Sequence, residues 1–120
     1  MGPRASTDRG RMTESQLQDA IRLALGRDRG VLIFRNNIGH AVMRHGARVT
    51  FGVGGPGGAD LIGILDGRPL AIEVKSQSGR QSTDQLRFQA LWESRGGIYL
   101  MPRSVEDALA MIAEQRRRGQ

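Results

Sequence analysis

Asp60, Glu73 and Lys75 are the residues of this sequence whose types and spacing best suit chemistry. Asp66-Gly67 is a strong two-residue hairpin signal between Asp60–Leu65 and Arg68–Lys75. With those two residues forming the turn, Leu65 faces Arg68, and counting back along the ladder sets Asp60 opposite Glu73. Directly opposed residues of an antiparallel pair point to one face with Cβ atoms about 4.5–5.5 Å apart. Two carboxylates held so closely repel in their ionised forms, and a divalent cation relieves that repulsion. Strand alternation then brings Lys75 to the same face as Glu73. A one-residue slip in the turn would break the Asp60–Glu73 alignment but leave Glu73 and Lys75 together.

The wider composition singles out that lysine. Of the 18 basic residues 17 are arginine, and Lys75 is the sole lysine. Arginine stays charged and forked, whereas lysine offers a compact amine that can act as a point donor. A formal net charge of +6 suits a polyanionic partner, although an arginine-rich coding background and a basic tail would produce the same balance. Cysteine is absent, which excludes disulfides and thiolate–metal sites. No apolar run approaches the roughly 20 residues of a membrane span, and no secretory leader is evident, so a cytoplasmic protein is expected.

The elements that must position the trio can be read in order. Residues 1–12 have no apolar period and read as a mobile leader or expression remnant. Thr13 caps a first helix, with Gln16 completing a capping box and a stripe of Leu17, Ala20, Ile21, Ala24 and Leu25 ending near Gly26. Val31–Phe34 and Ala47–Phe51 read as strands, joined by a loop or irregular hairpin from Arg35 to Gly46. Gly52–Gly58, with five glycines and a proline, is a sharp turn that permits close approach. It lacks the ending of a Walker loop. Leu70, Ile72 and Val74 fill one face of the second hairpin strand, with Ile62, Ile64 and Ala71 beside the charged trio on the other. Such a strand should be central and covered on both sides, where unpaired charges are costly. The plain alternative is a structural Glu–Lys pair at a strand end.

Ser82 opens a second helix with Gln85 in the capping position. Capping alone accounts for Gln85, although it shares a face with Phe88 and Trp92. Gly96-Gly97 ends this helix, Ile98–Met101 form a short strand, and a final helix starts at Ser104, buries Val105, Ala108, Leu109 and Ile112, and frays at Arg116. The expected fold class is therefore α/β: one domain over residues 13–115, a mixed central sheet flanked by helices in the order αβββαβα, with residues 116–120 as a basic tail. Glu14 lies on the core-facing stripe of the first helix, where it can complement the helix dipole or reach the trio. Arg35, Asn36, Asn37, Ser76 and Arg80 are candidates for contact with nucleic acid. His40 and His45 read as ordinary surface histidines.

Gly57-Gly58-Ala59-Asp60, then Ile72-Glu73-Val74-Lys75, then Gln85 in the following helix, resemble the VRR-NUC family of the PD-(D/E)xK nucleases. The resemblance runs from about Glu14 to Glu106. An isolated Glu-x-Lys is common by chance; the glycine-rich approach, an Asp 13 residues earlier and the Ser-Thr-Asp-Gln helix start make the set more specific. Ala59 stands where the motif usually has proline, a difference that removes no ligand. The resemblance implies a restriction-endonuclease-like fold and hydrolysis of phosphodiester bonds in DNA assisted by Mg²⁺ or Mn²⁺. It implies Asp60 and Glu73 as metal ligands with the Val74 carbonyl, Lys75 at the attacking water, Glu14 as the family's helix-borne acid and Gln85 as its downstream glutamine. By the same analogy the substrate is branched DNA such as a Holliday junction, the setting phage or bacterial DNA repair, and the assembly a homodimer to which Trp92, Tyr99 or the final helix contribute. The alternatives are a flap- or restriction-like nuclease using the same site, or a DNA-binding module without catalysis.

Overall fold

A computed structural model describes residues 11–119. The expected leader falls almost wholly outside them. Helix α1 (Glu14–Gly26) is followed by strands β1 (Val31–Arg35), β2 (Gly39–Val42), β3 (Arg48–Phe51), β4 (Leu61–Leu65) and β5 (Arg68–Ile72). Helix α2 (Thr83–Ser94), strand β6 (Ile98–Leu100) and helix α3 (Val105–Arg118) complete the chain. Five strands separate the first two helices, against three in the expected order and four segments read as strands, because Gly39–Val42 pairs with Arg48–Phe51.

Capping chemistry starts the helices where the sequence indicates. Thr13 accepts from the Gln16 amide and Gln16 returns a bond to the Thr13 amide; Ser82 and Gln85 do the same for α2. Strands β1, β4, β5 and β6 form a mixed sheet in the order β1-β4-β5-β6, with β5 and β6 parallel and the other pairs antiparallel. The β4–β5 register is the expected one, Leu65 facing Arg68 and Leu61 facing Ile72, across a turn with positive φ at Asp66 (49°) and Gly67 (86°). Positive φ at both central residues marks the type I′ turn, whose twist matches that of the strands.

One face of the sheet carries the main core, in which Ile21 and Leu25 of α1 and Ala108 and Ile112 of α3 pack on Leu61, Leu70, Ile72, Val74 and Leu100. The other face is covered by α2, where Phe88 and Trp92 meet Ala71, Tyr99 and Ile62, and is left open at Ile64. Ile64, expected beneath a cover, is therefore 43% exposed. Leu109 is likewise exposed, because the α3 stripe that faces the sheet runs through Ala108 and Ile112. Tyr99 is buried, and Trp92 is half-buried with its indole donating to the Ile98 carbonyl at 3.0 Å.

The expected fraying at Arg116 does not occur. Helix α3 continues to Arg118, and the Arg116 guanidinium holds Asp28 at 2.6 and 2.9 Å and Asp66 at 2.7 and 3.0 Å. It ties α3 to the α1–β1 turn and to the β4–β5 turn. Hydrogen bonds from Arg116 and from the Gly30 amide draw the Asp28 carboxyl down to about 2. A depressed carboxyl stabilises the fold above its unfolded pKa, here 3.8, and loses that contribution as pH falls toward its folded one. Arg116→Ala is expected to lower the melting temperature by a few degrees at pH 7. Melts repeated at lower pH should show the gap closing between about pH 4 and pH 2; a gap indifferent to pH would contradict the assignment.

Candidate active site

Beyond Ile72 the β5 backbone continues along the chain that follows β6: the Glu73 amide donates to Leu100 O at 2.9 Å and the Lys75 amide to Pro102 O at 3.2 Å. On its other side β4 ends one residue short of the expected strand. The Asp60 carboxylate takes over from backbone there, its Oδ2 accepting from the Val74 amide at 2.8 Å. The Asn36 amide donates to the Asp60 carbonyl, so Asp60 is fixed from both flanks.

Glu73 is only 4% exposed. Its Oε2 accepts from Gln85 Nε2 at 2.9 Å and lies 3.4 Å from Lys75 Nζ, which donates to Gln85 Oε1 at 3.0 Å. Gln85 Oε1 also accepts from the Ser82 amide. Capping and site contact, alternatives in the sequence, are carried by the same side chain: one amide closes the helix and spans the Glu73–Lys75 pair. Glu73 Oε1 is buried and has no hydrogen-bond partner. Burial raises the Glu73 pKa, the Asp60 charge raises it further against Lys75, and the carboxyl is pushed up to about 7. Asp60 is also raised, chiefly by burial, with the Val74 amide opposing and the Glu14 charge adding to the rise.

These donors fit a hard divalent cation. A buried, unbonded carboxylate oxygen beside a second carboxylate is an uncompensated charge site that a cation completes, and Mg²⁺ is commonly held by one or two carboxylates with substrate phosphate and water filling the remainder. Among the described residues no group of three or more His, Asp or Glu side chains could hold an ion. Glu14 is not gathered with Asp60 and Glu73 into such a group. It is exposed, and its carboxylate accepts from the Ser76 amide at 3.3 Å, which fastens α1 to the loop after Lys75.

The remaining expected residues divide. Arg35, Asn37, Asp60 and Gln85 line one open cleft of about 430 Å³, with Arg35 also 3.7 Å from Asp19. Asn36 borders it too, but its side chain is not free for a ligand: Nδ2 donates to Val53 O and Ala59 O, and Oδ1 accepts from the Val53 amide. It clamps the glycine-rich loop, which has few side chains to hold itself. Ser76 contacts Glu14 through its backbone, and Arg80 is exposed and does not line the cleft. No motif or spacing pointed to Arg103, whose guanidinium binds the carbonyls of Ser76, Gln77 and Gly79 and so shapes the loop beyond Lys75. Gln81, which donates to Gln89 and Tyr99, was equally silent.

Gly57 shows why the approach to Asp60 is glycine-rich. Its φ is +89°, and a Cβ there would lie 2.4 Å from backbone atoms of Asp84 at the start of α2. Gly55 shares a positive φ but faces open space. Gly55→Ala should cost about 1–2 kcal/mol from backbone strain. Gly57→Ala should cost more and push Asp60 away from Gln85. Chemical unfolding of the two variants checks this, and equal losses would remove the close-approach argument.

Neither a protein-family profile nor a curated protein sequence matches the chain. A solved structure described as "VRR_NUC domain" is similar over 83% of this chain and 94% of that one, with a TM-score of 0.58 and 20% identity. The small α/β domain with a mixed sheet between helices is thus the fold of a VRR_NUC domain.

Proposed function

We propose that this protein is a metal-dependent nuclease hydrolysing phosphodiester bonds in DNA, with Asp60, Glu73 and Lys75 at its reacting centre. The observation that carries the reading is the buried, unbonded Glu73 Oε1 beside Asp60, with the chain's one lysine held on the same carboxylate. A structural Glu–Lys pair accounts for Oε2 but leaves Oε1 and the raised Asp60 without a purpose. The likeness to a VRR_NUC structure and the net charge of +6 support the same reading.

Asp60, Glu73 Oε1 and the Val74 carbonyl would hold Mg²⁺ or Mn²⁺. The chemistry such an ion supplies when bound is Lewis-acid polarisation of the phosphate and stabilisation of the charge that develops at phosphorus. Lys75 Nζ, positioned by Glu73 and Gln85, donates to the attacking water and orients it in line with the scissile bond. Gln85 keeps the ammonium aimed and hydrogen-bonds Glu73, so its role is positioning. Glu14 supports the loop after Lys75. The cleft beside Asp60, with Arg35 and Asn37 on its wall, receives the phosphate backbone. We extend the proposal to branched DNA as substrate, to a homodimer large enough to span two strands, and to action in the cytoplasm. No helix among the described residues is long and apolar enough to cross a membrane.

The test is incubation of the protein with a labelled four-way junction, a linear duplex and a flap, in Mg²⁺, Mn²⁺ or EDTA. Cleavage that needs the ion and favours the junction is expected. Binding without cleavage in either metal would make the protein a DNA-binding module, and equal cutting of linear duplex would remove the preference for branches. Sedimentation of the free protein decides the dimer.

A further inference from the structure

The β2–β3 hairpin is not part of the main sheet. It pairs only with itself, and every residue of its two strands except Gly39 is exposed. A lone two-stranded ribbon is marginal in water, so this one has a use that its own packing does not explain. Its register sorts the side chains. His40 faces Thr50 and Val42 faces Arg48 on one side, while Ala41 faces Val49 and Gly39 faces Phe51 on the other. The second side is apolar and covers itself only at Gly39, across which the Phe51 ring lies, while Val49 and Phe51 stay exposed. The first carries Arg48. At the tip, Met43 and Ala47 close a turn through Gly46, whose φ is +91°, and this presents Arg44 and His45 outward.

Charge and placement point the same way. No acidic residue occurs between Asp28 and Asp60, a stretch holding Arg29, Arg35, Arg44, Arg48 and both histidines. Arg44 and Arg48 have no ion-pair partner among the described residues. The root of the ribbon adjoins the cleft: Asn37 and Ile38 line it with Asp60, and the Asn36–Val53 hydrogen bonds hold the two strand ends together. Four-residue strands extend about 13 Å from that root, and a two-stranded ribbon fits a duplex groove.

We propose that the β2–β3 ribbon is an arm that grips the phosphate backbone of duplex flanking the bond at Asp60 and Glu73, through Arg48 on one face and Arg44 at its tip. This rests on the nucleic-acid reading of the site and adds to it a contact outside the cleft. Arginine neutralises phosphate while reading no sequence, so the arm supplies affinity and orientation rather than base preference.

The experiment measures anisotropy of a labelled duplex against salt concentration in EDTA for the whole protein, Arg44→Ala/Arg48→Ala, Arg44→Lys/Arg48→Lys, and Arg117→Ala/Arg118→Ala at the end of α3. Each phosphate contact contributes about 0.9 to the slope of log affinity against log salt. The alanine pair should lower that slope by about 2 and weaken binding at least tenfold at physiological salt. The lysine pair should keep most of both, and the α3 pair should leave them nearly unchanged. Melting temperatures should stay level, because both residues are exposed. Wild-type binding with an unaltered slope in the alanine pair would overturn the arm and leave the nuclease reading intact. Wild type that neither binds nor cuts DNA would overturn both. Loss of a dimer in the alanine pair, seen by sedimentation, would make the ribbon a contact between copies and overturn the arm as well.

Discussion

Glu73→Gln should make the metal-free protein more stable at neutral pH while abolishing its cleavage. The wild-type carboxyl sits at about 7, against 4.5 for an ordinary glutamate, because burial and the Asp60 charge disfavour its ionised form. A carboxyl raised on folding contributes fully below its unfolded pKa, and that contribution is lost as pH climbs through the folded one. In EDTA, wild type should therefore lose stability between about pH 4.5 and pH 7, by at most about 3 kcal/mol at 1.36 kcal/mol per unit. The variant lacks the charge and should not show this loss, so the two melting curves separate as pH rises and the variant melts several degrees higher at pH 7. Millimolar Mg²⁺ should then stabilise wild type, since a ligand that binds only the folded state raises its stability by mass action, and should do little for the variant. Parallel pH profiles in EDTA would refute the strained carboxylate pair. Cleavage that survives the substitution would refute the site.

Lys75→Met is expected to reduce cleavage by about 10²–10³-fold, the range for removing one preorganised donor from a reacting centre. Lys75→Arg should restore little of it. Lys75 Nζ occupies a narrow position, 3.4 Å from Glu73 and 3.0 Å from Gln85, and a forked guanidinium cannot present one donor there. Single-turnover rates at saturating DNA check this, with affinity measured beside them: the loss should fall on the rate, and DNA binding should change by a few-fold only. An arginine variant with near wild-type turnover would show that charge alone is needed and would leave the single lysine to chance.

The expected results for these residues depend on a geometry that local rules largely determine. Asp66-Gly67 sets a type I′ turn, that turn sets the β4–β5 register, and alternation sends Ala71, Glu73 and Lys75 to the face away from Ile72 and Val74. Thr13 and Ser82 start their helices through bonds that span three residues. Information of this kind lies within a few positions of where it acts, so it is legible in the chain itself. The basic stretch of the ribbon is legible too, although β2 is not: Gly39–Val42 has no buried partner and hence no apolar alternation to betray a strand.

What the tertiary structure alone decided involves groups far apart in the chain competing for the same partners. Asn36 is occupied by Val53 and Ala59, Arg103 by the loop at Ser76, Arg116 by Asp28 and Asp66, and Glu14 by the Ser76 amide. Each of these side chains could satisfy several acceptors or donors, and only the packed sheet and helices select which one is within reach. The unbonded oxygen of Glu73 belongs to the same class: its burial comes from the packed fold, and no spacing along the chain encodes it.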